Sequence, residues 1–434
     1  MAGQYGIEEM ARKARGAARR LASATAEQRD RALTSIADEL KKRRAALLNA
    51  NAEDVKAAAD TLSAPLLSRL RLTEEKCARM EDGLRALSRL EDPLGRVQYA
   101  RELAPGLNLY RAACPIGVVG VIFESRPDAL VQISSLCLKS GNAVLLKGGK
   151  EAARTNEALA QLIAEAGDAC GLPDGWCGLL HSREDVQEML RQHESIDLII
   201  PRGSNAFVRY IMQNSEIPVL GHAEGLCHVY VDDPCDIGTA VRITVDSKAQ
   251  NLSVCNAAET LLVHRKAAER FLPLAAAALK QKNIELRGDE AVRKIISCKP
   301  ASLEDWRAEY LDAVLSIRMV DSLDAAIEHI NSFGSHHTDC IVSTDQEHIS
   351  EFMTRVDSAD VFSNCSTRFA DGFLFGFGAE VGIATGKLHA RGPMGMEGLC
   401  TYQYRLYGNG QTLEDLTSGS IALTHRPIDP ALPD

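Results

Sequence analysis

Residues 251–264, NLSVCNAAETLLVH, join a nucleophile to the setting that a nucleophile needs. Cys255 follows a helical stretch rich in polar residues and precedes a strong strand, in a Ser/Asn-rich loop. Loops at domain junctions gather active-site residues. A thiolate held there among inward-pointing backbone N–H groups is a capable nucleophile. The same residues also suit a buried structural thiol, and spacing alone leaves both readings open.

Three other segments carry suitable chemistry. LLKGGK (145–150) and PRGSN (201–205) each place glycine at a strand end before a helix. Such helix starts accept anions, and Lys147 and Lys150 add positive charge. Each could be an ordinary βα turn; together, at the carboxyl edge of one sheet, they suggest a nucleotide lying across the strand ends. Residues 366–395 are too rich in glycine for regular structure and concentrate Arg368, Lys387, His389 and Arg391. Guanidinium groups on such a loop suit carboxylate or phosphate oxygens. A long ordered loop with solvated charges is the plainer reading, although its length favours function. Neither G-x-G-x-x-G nor G-x-x-x-x-G-K-[ST] occurs, so the usual dinucleotide turn and the P-loop are both missing.

Metal chemistry is not expected. The twelve cysteines are scattered, with no C-x-x-C pair and none beside a histidine at zinc-finger spacing. His222 and His228 in GHAEGLCH are poorly spaced for a shared ion. Reduced thiols and a first segment without the apolar core of a secretory signal point to an intracellular, cytoplasmic protein.

Composition narrows the class further. The chain has 434 residues, with 49 Lys+Arg against 59 Asp+Glu, a net charge of −10, which argues against a nucleic-acid partner. No apolar run approaches the roughly 18 residues of a membrane span, so no membrane association is expected. Basic clusters at 12–20 and 41–44 read as solvated helix faces balanced by nearby acids. The length calls for two or three domains.

The elements that must position these residues follow from periodicity. The first ~95 residues read as helices, with Thr25 and Gln28 as a capping box and Asn51 with Asp54 as another helix start. Residues 98–112 read as a hairpin around Pro105-Gly106. Apolar runs at 116–123, 143–146, 197–200 and 227–231 alternate with helices at 128–139, 151–169 and 205–212. A second series begins near 259, with strands at 260–263, 314–320, 340–343 and 360–362 and helices at 267–280, 323–330 and 346–356. Strands alternating with helices indicate parallel, doubly wound sheets. Two α/β domains therefore meet near residue 250, and the tail beyond 402 reads as an extended segment packed on something else.

In this order the segments resemble the aldehyde dehydrogenase superfamily, and within it the branch that reduces γ-glutamyl phosphate. PIGVVGVIFESRPDA (115–129), GNAVLLKGGKEA, DLIIPRGS, GHAEGLCHVYVD, VCNAAETLLVH, FGSHHTDCIV, STRFADGF and AEVGIATGKLHARGPMG carry the resemblance over nearly the whole chain. It implies an α/β fold of two doubly wound domains with an oligomerisation hairpin and tail. Residues 1–97 and 113–250 would form the NADP-binding domain and 251–365 the catalytic cysteine domain. Residues 98–112 and 402–434 would form the oligomerisation element, and 366–401 a substrate loop returning to the cofactor domain.

The resemblance also assigns roles. Cys255 takes the nucleophile's place with Asn256 beside it, and backbone N–H groups around the two would stabilise the oxyanion. Lys147 with Gly148 would meet the adenosine ribose, Gly203 and Ser204 the pyrophosphate, and Glu309 the nicotinamide ribose. Where the superfamily has E-L-G-G-K, this chain reads VLGHAEG (219–225), without the base that activates hydrolytic water. Where it has W-N-F-P, this chain reads FESRP, placing Ser125 and Arg126 near the substrate. K-P-x-E becomes KGGK, and Lys150 in the acid's place favours the 2′-phosphate of NADPH.

The implied reaction is NADPH-dependent reduction of L-glutamyl 5-phosphate to L-glutamate 5-semialdehyde through a cysteine thioester, the second step of proline biosynthesis. Arg368, Lys387, His389 and Arg391 would clamp the phosphate or α-carboxylate. A homo-oligomer, dimer or tetramer, and contact with glutamate 5-kinase complete the expectation. The alternatives are a hydrolytic or CoA-acylating aldehyde dehydrogenase, a cysteine hydrolase without cofactor, and a non-catalytic scaffold.

Overall fold

The computed structural model describes residues 6–124, 126–222, 224–377 and 379–433. The chain opens with α1 (Ile7–Leu21), α2 (Ala26–Lys42), α3 (Arg44–Ala58), α4 (Ala64–Leu70) and α5 (Glu74–Ser88). In α1, Ile7, Ala11, Ala14, Ala18 and Leu21 are buried, the three-and-four spacing of one helix face. Thr25 caps α2 by accepting from Gln28 N at 3.1 Å. The Gln28 side chain donates instead to Gly171 O at 3.0 Å, so the reciprocal half of the capping box is missing.

Asn51 and Asp54 do not start a helix. Both lie buried inside α3 and satisfy the ends of other elements. Asp54 accepts from Thr155 N at 2.8 Å and Thr155 Oγ1 at 2.7 Å, in the first turn of the helix Ala153–Ala169. Asn51 donates to Leu70 O and accepts from Leu72 N. Their cap-like chemistry is real, but it serves partners distant in sequence. The basic residues nearby are paired with acids: Arg43 with Glu39 and Glu165, Arg44 with Glu74 and Glu81.

The hairpin β1 (Val97–Ala104) and β2 (Leu107–Pro115) turns at Gly106, whose φ of +73° favours glycine. Then follow β3 (Val118–Phe123), α6 (Pro127–Lys139), β4 (Ala143–Lys147), α7 (Ala153–Ala169), β5 (Cys177–Leu180), α8 (Arg183–Met189), β6 (Leu198–Arg202) and α9 (Asn205–Asn214). The strands form a parallel sheet ordered β5-β4-β3-β6. Every residue of β3 and β4 is buried, as expected of strands covered on both faces. Alternate residues feed two cores. Val119, Val121, Val144 and Leu146 pack with α2, α6 and α7, whereas Val118, Ile122 and Leu145 pack with α1.

The second unit contains β7 (Cys227–Val231), α10 (Ile237–Ala249), β8 (Ala258–His264), α11 (Arg265–Gln281), β9 (Glu285–Gly288), β10 (Lys299–Pro300), β11 (Val314–Val320), β12 (Thr338–Val342) and β13 (Asp360–Ser363). Its seven-stranded sheet is ordered β10-β9-β11-β8-β7-β12-β13. The expected division at residue 250 therefore falls inside this unit and is corrected to the stretch before β7. β7 pairs in parallel with β8 and β12, joining the second sheet and not the first. An apolar run announces a buried strand but not which sheet receives it.

The Gly-rich segment is more regular than expected. It holds a short antiparallel pair, β14 (Gly382–Ala384) with β15 (Gly392–Met394). Val381, Ala384, Met394 and Leu399 pack into the core of the first sheet. The tail supplies β16 (Cys400–Tyr407) and β17 (Arg426–Pro427), completing a four-stranded sheet ordered β16-β2-β1-β17. Among the described residues, no helix is long and apolar enough to cross a membrane.

Candidate active site

The end of β6 lies beside the loop before β8: Arg202 acts on Cys255, and Asn205 just after β6 bonds Glu309. Cys255 lies in the turn from α10 to β8. Its backbone is fixed from several sides. Cys227 Sγ donates to Cys255 O at 3.2 Å. A Cβ on Gly225 would lie 2.2 Å from that same carbonyl oxygen, so glycine is required for this approach. Flanking the turn, Lys248 of α10 and Glu259 of β8 form a fully buried pair at 2.5 Å. Burial pushes Glu259 up to about 7, with Lys248 opposing, and its second oxygen accepts from Leu311 N.

The thiol itself is held protonated. Burial pushes Cys255 up to about 12; the Glu380 and Glu309 carboxylates push the same way, and Arg202 opposes them. Desolvation here outweighs the nearby Arg202 guanidinium.

Two histidines stand at the sulfur. A ligand atom each of His222, Cys255 and His337 lies within 4.8 Å of the other two. The two rings meet edge to face with centroids 4.8 Å apart. His222 Nδ1 bonds Ile383 O at 2.7 Å, and His337 Nδ1 bonds Thr338 Oγ1 at 2.8 Å. His228 goes elsewhere, bonding Asp339 inside the second sheet.

Asn256 is buried and donates to Ala370 O at 2.8 Å, while its backbone carbonyl accepts from Thr367 Oγ1 at 2.7 Å. Its amide N–H₂ therefore fastens the Gly-rich segment. The backbone N–H groups of Cys255 and Asn256 donate to no backbone carbonyl among the described residues, and the Cys255 N–H bonds its own sulfur.

The expected cations separate into two groups. Arg368 and Arg202 both interact electrostatically with Cys255, and Arg126 acts on Arg202 and Glu380. Arg368 Nε donates to Gln250 Oε1 at 2.9 Å, and Arg126 lies 3.4 Å from Asp128. Lys387 and Arg391 are instead spent on the Asp357 carboxylate, at 2.7 and 3.0 Å. His389 bonds Gly398 O. Ser125 lies outside the described residues.

The cofactor side fits an anionic dinucleotide. Lys147 ends β4 with its ammonium buried on Gly148 O, and burial lowers its pKa. Asn156 Oδ1 is buried without a partner, and a Cβ on Gly148 would strike the same amide at 2.1 Å. The amide nitrogen of Asn156 lies against Gly148, where only glycine leaves room, while its oxygen is unpartnered. Lys150 is exposed, and Ser204 begins α9 with a hydroxyl that caps nothing. A Cβ on Gly203 would meet Glu124 and Phe207 at 2.9 Å. Glu309 accepts from Asn205 Nδ2 at 2.6 Å and Gly225 N at 2.8 Å. Beside Lys150, the Glu151 carboxylate folds over Gly149, where a Cβ would lie 2.0 Å from Oε1.

Sequence reasoning missed Arg202, His337 and Glu380. Arg202 stood inside PRGSN but was passed over for its glycine and serine; nothing local marks the other two.

The comparisons agree with this geometry. A family model described as the aldehyde dehydrogenase family matches residues 1–297. The chain belongs to the aldehyde dehydrogenase family. It is 54% identical over 428 residues to the γ-glutamyl phosphate reductase of Acetivibrio thermocellus, covering 98% of this chain and 99% of the relative. The enzyme of that name from Pelotomaculum thermopropionicum is 54% identical over 424 residues, 98% of each chain. The crystal structure of γ-glutamyl phosphate reductase from Thermotoga maritima superposes with a TM-score of 0.92 at 37% identity, covering 94% of this chain and 100% of that one. Within the family, the chain falls in the γ-glutamyl phosphate reductase group.

Proposed function

We propose that this chain reduces L-glutamyl 5-phosphate to L-glutamate 5-semialdehyde and phosphate with NADPH, the second step of L-proline biosynthesis. The observation that carries this reading is Cys255 between the two sheets, with Arg202 and Arg368 acting on its sulfur. An anionic acyl donor matches those charges. Cys255 Sγ attacks the acyl carbon; the S–C bond forms and the C–O bond to phosphate breaks. The thiol proton departs on hydrogen phosphate, leaving a thioester. The Asn256 N–H, joined by that of Cys255 as the sulfur gives up its bond to it, stabilises the oxyanion, each such donor commonly worth ~3–4 kcal/mol.

Lys147, Gly148, Lys150, Gly203, Ser204 and Glu309 hold the cofactor, and Lys150 favours the 2′-phosphate. When bound, NADPH would supply the hydride that reduces the thioester to the aldehyde, and the released Cys255 thiolate takes a proton from water. Arg368, with Arg126 and Arg202, holds the substrate's anionic groups, and Ser125 lies beside them in the chain. Lys387, His389 and Arg391 join the clamp on leaving Asp357 and Gly398 O. A hydrolytic reaction is disfavoured because Glu224, the acid in the VLGHAEG segment, is engaged by Arg209. Tyr402, Tyr404 and Leu406, exposed on β16, suit a homo-oligomer, dimer or tetramer. The labile acyl phosphate suits delivery by contact with glutamate 5-kinase in the cytoplasm.

The reverse assay tests this reading: glutamate semialdehyde, phosphate and NADP⁺ should yield NADPH, and Cys255→Ser should abolish it. NADPH formed without phosphate, or only with CoA, overturns the reading.

A further inference from the structure

The fold brings His222, Cys255 and His337 together from three segments that sequence spacing does not connect. One ligand atom of each lies within 4.8 Å of the other two. On His337, fully buried, Nδ1 is committed to Thr338 Oγ1 and Nε2 has no hydrogen-bond partner. On His222, Nδ1 is committed to Ile383 O. Each ring is thus oriented through one nitrogen by an oxygen acceptor, leaving the other to coordinate, the support usual behind metal-bound imidazoles. A buried imidazole nitrogen without a hydrogen-bond partner is unfavourable, and a bound cation would satisfy it.

We propose that His222, Cys255 and His337 form a binding site for a borderline-soft divalent cation, zinc by its ligand chemistry, which ties up the Cys255 sulfur. Two imidazoles and a thiolate suit zinc, at Zn–N of about 2.0 Å and Zn–S of about 2.3 Å. Tetrahedral ligands at those lengths stand about 3.5 Å apart, so the site closes by roughly an ångström. The partly exposed His222 provides that movement. Binding replaces the thiol proton, which passes to buffer; no electron moves, and water completes the tetrahedron. The Glu309 and Glu380 carboxylates favour the added positive charge, and Arg202 opposes it. Hard Mg²⁺ prefers oxygen ligands and does not compete.

Blocking of turnover rests on the reading of Cys255 as nucleophile; binding does not. The test is titration of the full-length, chelator-treated chain with Co²⁺, followed by its thiolate-to-cobalt charge-transfer band, and by displacement with Zn²⁺. One equivalent per chain is expected, with the band absent in Cys255→Ser. His222→Gln and His337→Gln should each weaken binding at least ~10-fold. His222→Gln alters a partly exposed ring, so it serves where His337→Gln does not fold. No band at one equivalent, or unchanged affinity in His222→Gln, overturns the site. Zinc should also inhibit turnover, reversibly by chelator. A band without inhibition keeps the site and strikes the nucleophile assignment instead.

Discussion

Asn205 Nδ2 donates to Glu309 Oε2 at 2.6 Å, and this bond ties the first helix turn after β6 to the second sheet's loops. The other carboxylate oxygen accepts from Gly225 N at 2.8 Å, directly behind Cys255. One carboxylate therefore links the start of α9 to the segment packed against the Cys255 turn.

Glu309→Ala should reduce kcat/KM for NADPH about 10- to 100-fold, chiefly through KM, since hydrogen bonds to a charged group are worth ~1.5–3 kcal/mol. Glu309→Gln, which keeps an acceptor, should fall between. Steady-state kinetics with varied NADPH decide it; an unchanged KM in Glu309→Ala would sink the ribose assignment.

Gly225→Ala places a methyl 2.2 Å from Cys255 O, closer than any real contact allows. The turn must shift, at a cost of ~1–3 kcal/mol in stability. Activity should fall by at least ~100-fold, because small displacements of a nucleophile are that costly. Circular dichroism should show a folded protein with a lowered Tm. Wild-type activity would mean that the turn accommodates the methyl.

Alkylation of Cys255 by iodoacetamide in the ligand-free protein should rise about tenfold per pH unit through the neutral and mildly alkaline range. Burial and two carboxylates hold this thiol near 12, so the thiolate fraction keeps growing with pH. Peptide mapping separates Cys255 from the other cysteines. A labelling rate that levels off near pH 8 would contradict the protonated thiol.

Acid should destabilise the fold through buried neutral histidines. Burial lowers His329 to about 2 and also depresses the fully buried His337. The unfolded chain protonates these rings near 6.5 and the folded chain does not, so stability is complete above 6.5 and lost below it. Each ring contributes up to about 1.4 kcal/mol per pH unit. His329→Gln, which keeps an acceptor for Arg318, should flatten the slope of denaturation free energy between pH 6.5 and 5. An unaltered slope would remove His329 from this role.

Much of the architecture was legible because it rests on local order. Parallel strands buried on both faces are largely apolar runs, so β3, β4 and β7 stand out by composition. The candidate nucleophile was legible too, since a polar loop before a strong strand is a local pattern. Partner choice was not: β7 lies in sequence between the two units, and only its hydrogen bonds to β8 and β12 assign it. Asn51 and Asp54 misled for the same reason, being cap residues whose caps lie elsewhere.

The sequence by itself determined the α/β alternation, the cysteine in its loop, and the cationic segments where anions would bind. Tertiary structure alone decided the state of that cysteine and the use of those cations. Charge and burial act through space: Lys387 and Arg391 spend their charge on Asp357, whereas Arg202, His222 and His337 converge on the sulfur. A thiol's pKa depends on the water, carboxylates and guanidinium groups around it, and folding alone assembles those neighbours.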